Sequence, residues 1–298
     1  LVPTTVLAYQ HYVKFKERLE KYGLIVENLS RLKSKSQQDE IIKKLEEGKI
    51  DVVVATHKVL SDNVKFKNLG LLVIDEEHRF GVRAKEKIRQ MKKNIDTLYL
   101  TATPIPRTLN MALSGLKDIS VINTPPEGRY EVKTFVSPFD EEILKKAVEF
   151  ELSRKGQVFY VHNRVETIEE RVNYLKNLFK NAKVDFIHGQ MKPSDIEKKI
   201  LSFIEGKIDI LVSTSIIETG IDIPTANTLI VERADLFGLA QLYHLRGRVG
   251  RGNIQAYCYL FVPKEITKDA KRRLDAILKL TRPGSGLKVS IEDLQIRG

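Results

Sequence analysis

The sequence contains very little cysteine and no tryptophan. Its only cysteine among 298 residues is Cys258, so an internal disulfide is impossible. A lone thiol is typical of proteins kept in a reducing compartment, which predicts a cytoplasmic location. The six histidines are scattered and have no second cysteine to join them, which argues against a structural zinc site.

Long apolar runs are absent as well. No stretch reaches the roughly 18 consecutive apolar residues that a membrane-spanning helix requires. The first residues do not form a signal peptide either, because no basic segment precedes an apolar one. The sequence therefore predicts that a membrane is not among the partners of this chain.

A phosphate-binding loop is the third missing feature. The pattern Gly-x-x-x-x-Gly-Lys-Ser/Thr does not occur in the sequence. The nearest approach, residues 284–288, has the wrong spacing and no hydroxyl residue after its lysine. The backbone cradle and the lysine that commonly hold nucleotide phosphates are therefore not encoded in this chain.

Positive charge is in excess. Fifty Lys and Arg residues against 39 Asp and Glu residues give a net charge of +11, and 42% of the residues are hydrophobic. This composition is that of a globular protein, and the length fits two domains of about 150 residues each. A solvated surface would be enough to explain the excess of Lys and Arg. The positive charge nevertheless makes nucleic acid a better candidate partner than a neutral or cationic molecule.

An internal repeat divides the chain. Residues 36–56 and 194–214 align without a gap at an offset of 158 residues, with 9 of 21 positions identical. Each copy predicts a helix that ends at a glycine, Gly48 or Gly206, followed by an apolar strand that ends in threonine. The predicted capping boxes at the helix starts pair Ser36 with Asp39 and Ser194 with Glu197.

Apolar segments alternate with amphipathic ones along the whole chain, which predicts an α/β fold with two lobes and mostly parallel sheets. The predicted strands lie near residues 50–56, 71–75, 97–101, 157–161, 183–188, 208–214, 227–232 and 256–262. The predicted helices lie near residues 8–21, 36–47, 83–92, 165–180, 194–205 and 239–246. A turn-rich stretch at 123–129 is the predicted hinge.

A cluster of acidic residues follows the apolar segment 71–74. Asp75, Glu76 and Glu77 come directly after it, and His78 follows them. Ligands of open α/β sheets bind outside the carboxyl ends of the strands, so this cluster lies where a site is expected. The carboxylate of Asp75 suits Mg²⁺, and that of Glu76 suits a role in activating water. A strand that runs into an acidic surface loop is the alternative.

These acidic residues resemble motif II of the superfamily 2 helicases, and further segments similar to helicase motifs occur in order. Those in the first half resemble motifs Ia, Ib and III, at residues 3–5, 56–58 and 101–109. Those in the second half resemble motifs IV, IVa, V and VI, at residues 160–163, 187–191, 213–224 and 241–251. The resemblance implies two tandem RecA-like lobes, each a mostly parallel sheet covered by helices.

The segments that connect the motifs are similar to those of the bacterial transcription-repair coupling factors, at residues 75–83, 101–110, 218–227 and 232–242. This resemblance implies an ATP-driven motor that moves on double-stranded DNA, displaces stalled RNA polymerase and promotes DNA repair. RNA polymerase and nucleotide-excision-repair proteins would bind through regions outside this chain. A RecG-like fork-remodelling helicase is one alternative, and a non-catalytic DNA-binding module is another.

The family pattern also implies domain boundaries. The expected parts are the C-terminal part of the first lobe, a linker, the second lobe and the start of a translocation motif, at residues 1–124, 125–136, 137–280 and 281–298. The phosphate-binding loop precedes motif Ia in the family, and this chain opens at Leu1 with what reads as the end of a strand. We therefore expect a fragment that begins just downstream of that loop.

The resemblance implies roles for single residues, with ATP and Mg²⁺ as cofactors of the intact protein. The nucleotide set is Asp75, Glu76, His78, Gly220, Asp222, His244, Arg248 and Arg251, of which Asp75, Glu76, Arg248 and Arg251 would be catalytic and Asp75 would hold Mg²⁺ through water. The DNA set is Thr4, Thr5, Thr56, His57, His188, Gly189 and Thr214, and the coupling pair is Thr101 and Thr103.

Two of these assignments need comment. Arg248 and Arg251 would act on the γ-phosphate, because guanidinium binds phosphate oxygens in a planar fork and keeps its charge. His244 stands where motif VI usually has glutamine, which weakens any role at that position. For each DNA-set residue taken singly, an ordinary capping or strand-end function is the alternative.

The missing phosphate-binding loop generates the first prediction. The purified 298-residue chain should hydrolyse ATP negligibly, even with duplex DNA present, because it lacks the groups that cradle the β- and γ-phosphates. Phosphate release with and without DNA measures this directly. Robust DNA-stimulated turnover by the chain alone would contradict the prediction.

Overall fold

The computed structural model describes residues 1–91, 95–101, 118–122, 124, 130–214, 223–280 and 286–297. The chain divides into two compact units, Leu1–Thr101 and Ala102–Gly298. Each unit has its own hydrophobic core.

The first unit is built on parallel strand pairs. Its elements are α1 (Thr5–Leu19), β1 (Val26–Leu29), α2 (Lys35–Glu47), β2 (Val52–Ala55), β3 (Leu71–Asp75), α3 (Val82–Met91) and β4 (Asp96–Leu100). Strand β1 pairs with β2 and β3 with β4, both in parallel. Leu1 and Val2 bridge the two pairs, because the amide of Val2 donates to Ala55 O at 2.9 Å and that of Asp75 to Leu1 O at 3.0 Å. The carboxyl ends of β2 and β3 therefore lie at one edge.

The second unit contains a six-stranded, fully parallel sheet in the order β5-β10-β9-β6-β8-β7. Its elements are β5 (Lys133–Pro138), α4 (Glu141–Ser153), β6 (Gln157–Val161), α5 (Ile168–Leu178), β7 (Val184–Ile187), α6 (Pro193–Ile204), β8 (Ile210–Ser213), β9 (Ala226–Val231), α7 (Leu239–Arg246), β10 (Tyr257–Val262), α8 (Lys268–Lys279) and α9 (Gly286–Arg297). Strands β6, β8 and β9 are buried at every position, as expected of strands covered on both faces. The predicted α/β class is confirmed.

The internal repeat extends beyond the aligned sequence. The unit β1–α2–β2 recurs as β7–α6–β8, and the bounds of both strands are shifted by the same 158 residues. An aspartate before the second strand fixes the start of the first strand in each copy. Asp51 Oδ2 accepts from the amide of Ile25 at 2.8 Å, and Asp209 Oδ2 from that of Lys183 at 2.7 Å. The two copies therefore share their backbone geometry as well as their sequence.

The helices of the repeat end as predicted. Gly48 and Gly206 have φ values of +74° and +72°, in the left-handed region that favours glycine. Each glycine leads into a strand that runs parallel to the strand before the helix. The predicted role of the two glycines as helix ends is confirmed.

The predicted capping box of Ser36 with Asp39 is wrong. Helix α2 begins one residue after Ser34, whose Oγ accepts from the amide of Gln37 at 3.2 Å. The side chain of Gln37 accepts in turn from the amide of Ser34 at 2.9 Å. A complete capping box therefore stands two residues earlier, and Ser36 lies within the first turn.

The predicted capping box of Ser194 with Glu197 is wrong as well. Helix α6 begins with Pro193, and its N-cap residue, Lys192, makes no capping hydrogen bond through its side chain. Proline suits this first position because the amide that it lacks would have no partner within the helix. The two helices of the repeat therefore start at equivalent positions by different means.

Five elements have no counterpart among the predictions: β1, β5, α4, α8 and α9. Strand β1 is only four residues long and contains a glutamate, and the residues of β5 alternate in exposure, as is usual at the edge of a sheet. Residues 123 and 125–129 of the predicted hinge lie outside the described residues, as do residues 281–285. The predicted domain boundaries stay predictions.

An ion pair between Glu151 and Arg154 lies near the amino-terminal ends of the strands of the second unit. Glu151 is fully buried, and its Oε2 lies 2.6 Å from Nη2 of Arg154 and accepts from the Thr228 hydroxyl at 2.5 Å. Gly156 packs directly against this carboxylate. A Cβ at that position would stand 1.6 Å from Glu151 Oε1. Glycine is therefore required by close approach rather than by its φ.

Replacing Gly156 with alanine should displace the Glu151 carboxylate from its buried partners. We expect Gly156→Ala to lower the free energy of unfolding by about 1–3 kcal/mol, the usual cost of overpacking. Denaturant unfolding followed by circular dichroism measures this. Gly70→Ala is the control, since Gly70 has open space around it. Equal stability of the two variants would contradict the interpretation.

Candidate nucleotide and nucleic-acid sites

Asp75 and Glu76 lie at the carboxyl end of β3. Glu76 has a φ of +51°, a left-handed conformation that costs a non-glycine residue about 1–2 kcal/mol and turns the chain sharply out of the strand. Its amide donates to Leu100 O at 3.0 Å. The hydroxyl of Thr101 donates to Glu76 Oε2 at 3.4 Å. The structure thus brings the predicted catalytic carboxylate and one predicted coupling threonine into contact.

His11, on α1, is a neighbour of Asp75 that sequence analysis did not identify. Its Nε2 lies 3.5 Å from Asp75 Oδ2, and both side chains are partly exposed. A contact of this kind between exposed groups contributes at most about 1 kcal/mol. The two residues are 64 positions apart, so no local pattern in the sequence predicts their contact.

The oxygen donors at the end of β3 fit a magnesium ion. The side chain of Asp75 is 22% exposed, so water and phosphate oxygens can reach its carboxylate. Among the described residues there is no group of three or more side chains that would hold a metal on its own. Magnesium is commonly bound by one or two carboxylates, with water and substrate phosphates completing the shell.

Four DNA-set residues lie at the same edge of the first unit. Thr4 caps α1, and its Oγ1 accepts from the amide of Leu7 at 3.3 Å. Helix capping is the ordinary function that the sequence offered as the alternative to DNA contact. Thr5 and Thr56 are buried, and His57 is exposed at the start of a short 3₁₀ turn. Of these four, His57 offers the most accessible side chain.

The other three DNA-set residues lie at the corresponding edge of the second unit. His188 directly follows β7, and Thr214 follows β8, which pairs with β7. The ring of His188 stacks on Phe186 with centroids 5.9 Å apart, and its Nδ1 accepts from the amide of Gln190 at 3.3 Å. Gly189 is exposed, whereas Thr214 is 8% exposed. These contacts orient the His188 ring at the strand end.

Arg248 and Arg251 lie in the turn that follows α7. Arg248 is buried, and Arg251 is exposed with its Nε donating to Gly247 O at 3.1 Å. Gly250 lies between them with a φ of +71°, where a Cβ would stand 3.0 Å from that of Ala256. The turn that presents the two arginines therefore depends on glycine both for its backbone conformation and for its packing.

Arg246, two residues before Arg248, has a different environment. It is buried, and it donates to Ile277 O at 2.6 Å and to Leu280 O, at the end of α8. Burial lowers the pKa of Arg246. Its guanidinium ties α7 to the carbonyls at the end of α8. His244, on α7, packs edge-on against Tyr243 with ring centroids 6.4 Å apart.

A buried ionic network lies at the ends of β6 and β9, and sequence analysis did not predict it. Glu232 accepts from the Tyr160 hydroxyl, lies 3.0 Å from Arg171 Nε and makes a 2.5 Å hydrogen bond with His162 Nδ1. The other ring nitrogen of His162 lies 2.8 Å from Thr167 Oγ1. The network thereby joins the two strand ends to α5.

The network also shifts the pKa values of its members. Burial opposes ionisation of Glu232, but hydrogen bonds from His162 and Tyr160 and the charge of Arg171 lower its pKa overall. Burial and the neighbouring carboxylate raise the pKa of Tyr160 well above its usual value. Tyr160 therefore remains a hydroxyl donor, and Glu232 remains an ionised acceptor.

Several predicted site residues lie outside the described part of the chain. These are Thr103 of the coupling pair, and Gly220 and Asp222 of the nucleotide set. The same is true of the His78 side chain. Their assignments stay predictions.

Both units match helicase families. Residues 1–112 match the DEAD/DEAH box helicase family, and residues 140–253 match the helicase conserved C-terminal domain. Among the described helices, none has the length and apolar composition that crossing a bilayer requires.

Curated relatives match the chain over its whole length. The transcription-repair-coupling factor of Haemophilus influenzae is 53% identical over 300 aligned residues, and that of Escherichia coli is 51% identical. Each alignment covers 100% of this chain and 26% of the relative. The chain therefore spans about a quarter of the length of these relatives.

Solved structures share the fold. RecG bound to a three-way DNA junction has a TM-score of 0.81 and 39% identity, over 99% of this chain and 39% of RecG. Saccharomyces cerevisiae Dbp5 bound to RNA and ADP BeF3 has a TM-score of 0.68 and 17% identity, over 100% of this chain and 80% of Dbp5. The second match shows the fold alone.

The buried network generates a stability prediction. Glu232→Gln removes the negative charge of the carboxylate that both His162 and Arg171 contact. We therefore expect it to lower the free energy of unfolding by about 3 kcal/mol at pH 7. The lowered pKa of Glu232 stabilises the fold above the unfolded-state pKa, near 4.3, and this stabilisation is lost as the pH falls below it. The deficit of the variant should therefore shrink in acid.

Thermal and denaturant unfolding between pH 7 and pH 3.5 would measure the deficit. Glu205→Gln is the matched control, because Glu205 is exposed and pairs at 2.5 Å with the equally exposed Lys207. That control should change stability by less than about 1 kcal/mol. A Glu232→Gln deficit that does not depend on pH would contradict the assignment.

Proposed function

We propose that this chain, whose two units match helicase families, is part of the motor of a double-stranded DNA translocase that couples transcription to repair. The observation that carries the proposal is 51–53% identity to transcription-repair-coupling factors along the entire chain. The identity extends through the segments between the motifs, where a shared ATPase mechanism alone does not require it.

The proposed reaction is ATP hydrolysis, with the first unit supplying the carboxylates. Asp75 is suited to hold Mg²⁺ through water, and a bound Mg²⁺ would neutralise phosphate charge. Glu76 is suited to orient or deprotonate the attacking water. The hydroxyl of Thr101 donates to Glu76 Oε2 in a long hydrogen bond of 3.4 Å, and this contact supports the coupling role proposed for Thr101.

The second unit would supply the positive charge. We propose that Arg248 and Arg251 stabilise the γ-phosphoryl oxygens of ATP in the transition state, where the charge spreads over those oxygens. Their positions on one glycine-dependent turn support this proposal. Arg246 has no part in it, because its guanidinium already binds two backbone carbonyls.

The DNA substrate would be held through its backbone. The accessible DNA-set residues, Thr4, His57, His188 and Gly189, offer hydroxyl, imidazole and amide groups, which position a duplex without reading its sequence. The other three, Thr5, Thr56 and Thr214, are buried. Backbone contact of this kind is what a motor that moves along any sequence requires. We propose that RNA polymerase and repair proteins bind outside this chain, in regions that correspond to the other three quarters of its relatives' length.

A RecG-like fork remodeller is the second candidate, favoured by the TM-score of 0.81 to RecG on a DNA junction. Two assays on the full-length protein separate the candidates. A coupling factor releases RNA polymerase stalled on a duplex when ATP is present, whereas a fork remodeller regresses a model fork and leaves the polymerase in place. A protein without DNA-stimulated ATPase would support the non-catalytic alternative.

The arginine assignment predicts a kinetic effect in the full-length protein. Arg248→Ala or Arg251→Ala should reduce DNA-stimulated ATPase by roughly 10³- to 10⁵-fold, or about 4–7 kcal/mol, with little change in nucleotide affinity. Because the two arginines act as one unit, the double variant should be little worse than the poorer single one. Steady-state turnover and nucleotide titration measure the two quantities.

Arg233→Ala provides the control, since Arg233 is exposed and pairs with Asp235 at 2.8 Å. It should keep near-normal turnover. Arg248→Lys tests whether loss of packing explains the defect of the buried arginine, since lysine keeps the charge but not the planar fork. If both alanine variants retain near-full turnover, Arg248 and Arg251 are not catalytic.

A further inference from the structure

A groove in the first unit gathers basic residues, of which only His57 belongs to the DNA set. Its volume is about 830 Å³, and its lining consists of residue 3 and of parts of two segments, 57–63 and 79–87, which are far apart in sequence. This is named the basic groove. Its charged and titratable lining residues are His57, Lys58, Arg79, Arg83 and Lys87. No acidic side chain is among the described residues that line it.

Arg83 is a basic residue of the groove with few ties to the rest of the protein. It is exposed near the start of α3, and its side chain makes no hydrogen bond or ion pair with any described residue. Lys87, one turn later, lies 2.7 Å from Asp62, whose side chain is 96% exposed, so that pair holds Lys87 only weakly. A positive charge in the first turn of a helix is also unfavourable in the helix dipole. Folding therefore offers no explanation for Arg83.

The wall of the groove is continuous with the turn that carries Glu76. The amide of Arg79 donates to Glu76 O at 2.9 Å, and that of Phe80 to Glu77 O at 3.1 Å. The side chain of Phe80 is buried in the core of the first unit. A ligand that moved the Arg79–Arg83 wall would therefore also move the backbone of the carboxylate turn.

We propose that the basic groove binds the phosphate backbone of duplex DNA, that Arg83 contacts a phosphate, and that residues 76–83 transmit occupancy of the groove to the catalytic carboxylates. This inference rests on the proposed function, because it extends the DNA path assigned there. The groove begins at Pro3 and His57, next to Thr4 and Thr56 of the DNA set.

A polyanion fits the groove better than a small anion does. The basic side chains come from two separate segments and are spread over an open surface, so they match a row of charges rather than one phosphate. The continuity with the DNA set favours nucleic acid over an acidic peptide. A contact through Arg83 would couple DNA binding to ATP hydrolysis without any residue that reads a base.

The binding test uses the 298-residue chain and a 30-base-pair duplex, with fluorescence anisotropy over a range of salt concentrations. Arg83→Ala should weaken binding by roughly 3- to 10-fold at low salt, equally on two unrelated sequences. It should also reduce the slope of log affinity against log salt by about 0.9. Arg83→Lys should keep most of the affinity, because lysine still supplies a point charge.

Lys85→Ala is the matched control. Lys85 is exposed on the same helix, two residues from Arg83, but it does not line the groove. It should bind DNA like the wild type. If Arg83→Ala also behaves like the wild type while the chain binds DNA, the groove assignment is overturned and the proposed function stands. If the wild-type chain binds no duplex, the DNA path of the proposed function fails first.

Amide hydrogen exchange tests the transmission step. Duplex DNA should slow exchange at residues 76–80 in the wild type and in Lys85→Ala, but not in Arg83→Ala at equal DNA occupancy. Unchanged exchange in the wild type with DNA bound would overturn the transmission. Tighter binding of a polyglutamate peptide than of duplex DNA would overturn the choice of nucleic acid as the occupant.

Discussion

Parallel pairing of short apolar strands is the constraint on which the two candidate sites depend. Parallel strands place all their carboxyl ends at one edge of a sheet, and each chain turn that leaves a strand begins there. In the first unit, backbone hydrogen bonds from Val2 and Asp75 bring the ends of β2 and β3 together. In the second unit, parallel pairing of β7 with β8 brings His188 and Thr214 to one edge. The residues of both candidate sites are therefore brought together mainly by backbone pairing.

Much of this arrangement follows from local sequence. The repeat predicts a strand that ends in threonine after a helix that ends in glycine. In the structure each threonine directly follows its strand, and both copies stand at the same 158-residue offset. The apolar segment before Asp75 predicts β3, and the position of the acidic residues follows from it. Helix starts were predicted less well, because Ser34 and Ser36 are both plausible caps and only backbone geometry selects one. Local sequence predicts a helix or strand when the residues that determine its type and its ends lie within that element.

The contacts that shape the sites come from outside the elements. Glu232 meets His162 across 70 positions of sequence, and Asp75 meets His11 across 64. Neither pair leaves a periodic or spaced pattern, because a charged residue at a strand end looks the same whether or not a distant partner will bury it. The basic groove belongs to the same class, since its lining comes from three segments that only the fold brings together.

Three arginines, at the end of α7 and in the turn after it, show why a motif alone does not assign function. Arg246, Arg248 and Arg251 lie within six residues of one another and look equivalent in the sequence. Arg246 is buried against two carbonyls, Arg248 is buried on the turn, and Arg251 is exposed. A guanidinium that already donates to two carbonyls cannot reach a phosphate without breaking those bonds, whereas an exposed one can. The environment of each arginine, and not its spacing, therefore separates a structural tie from a candidate catalytic group.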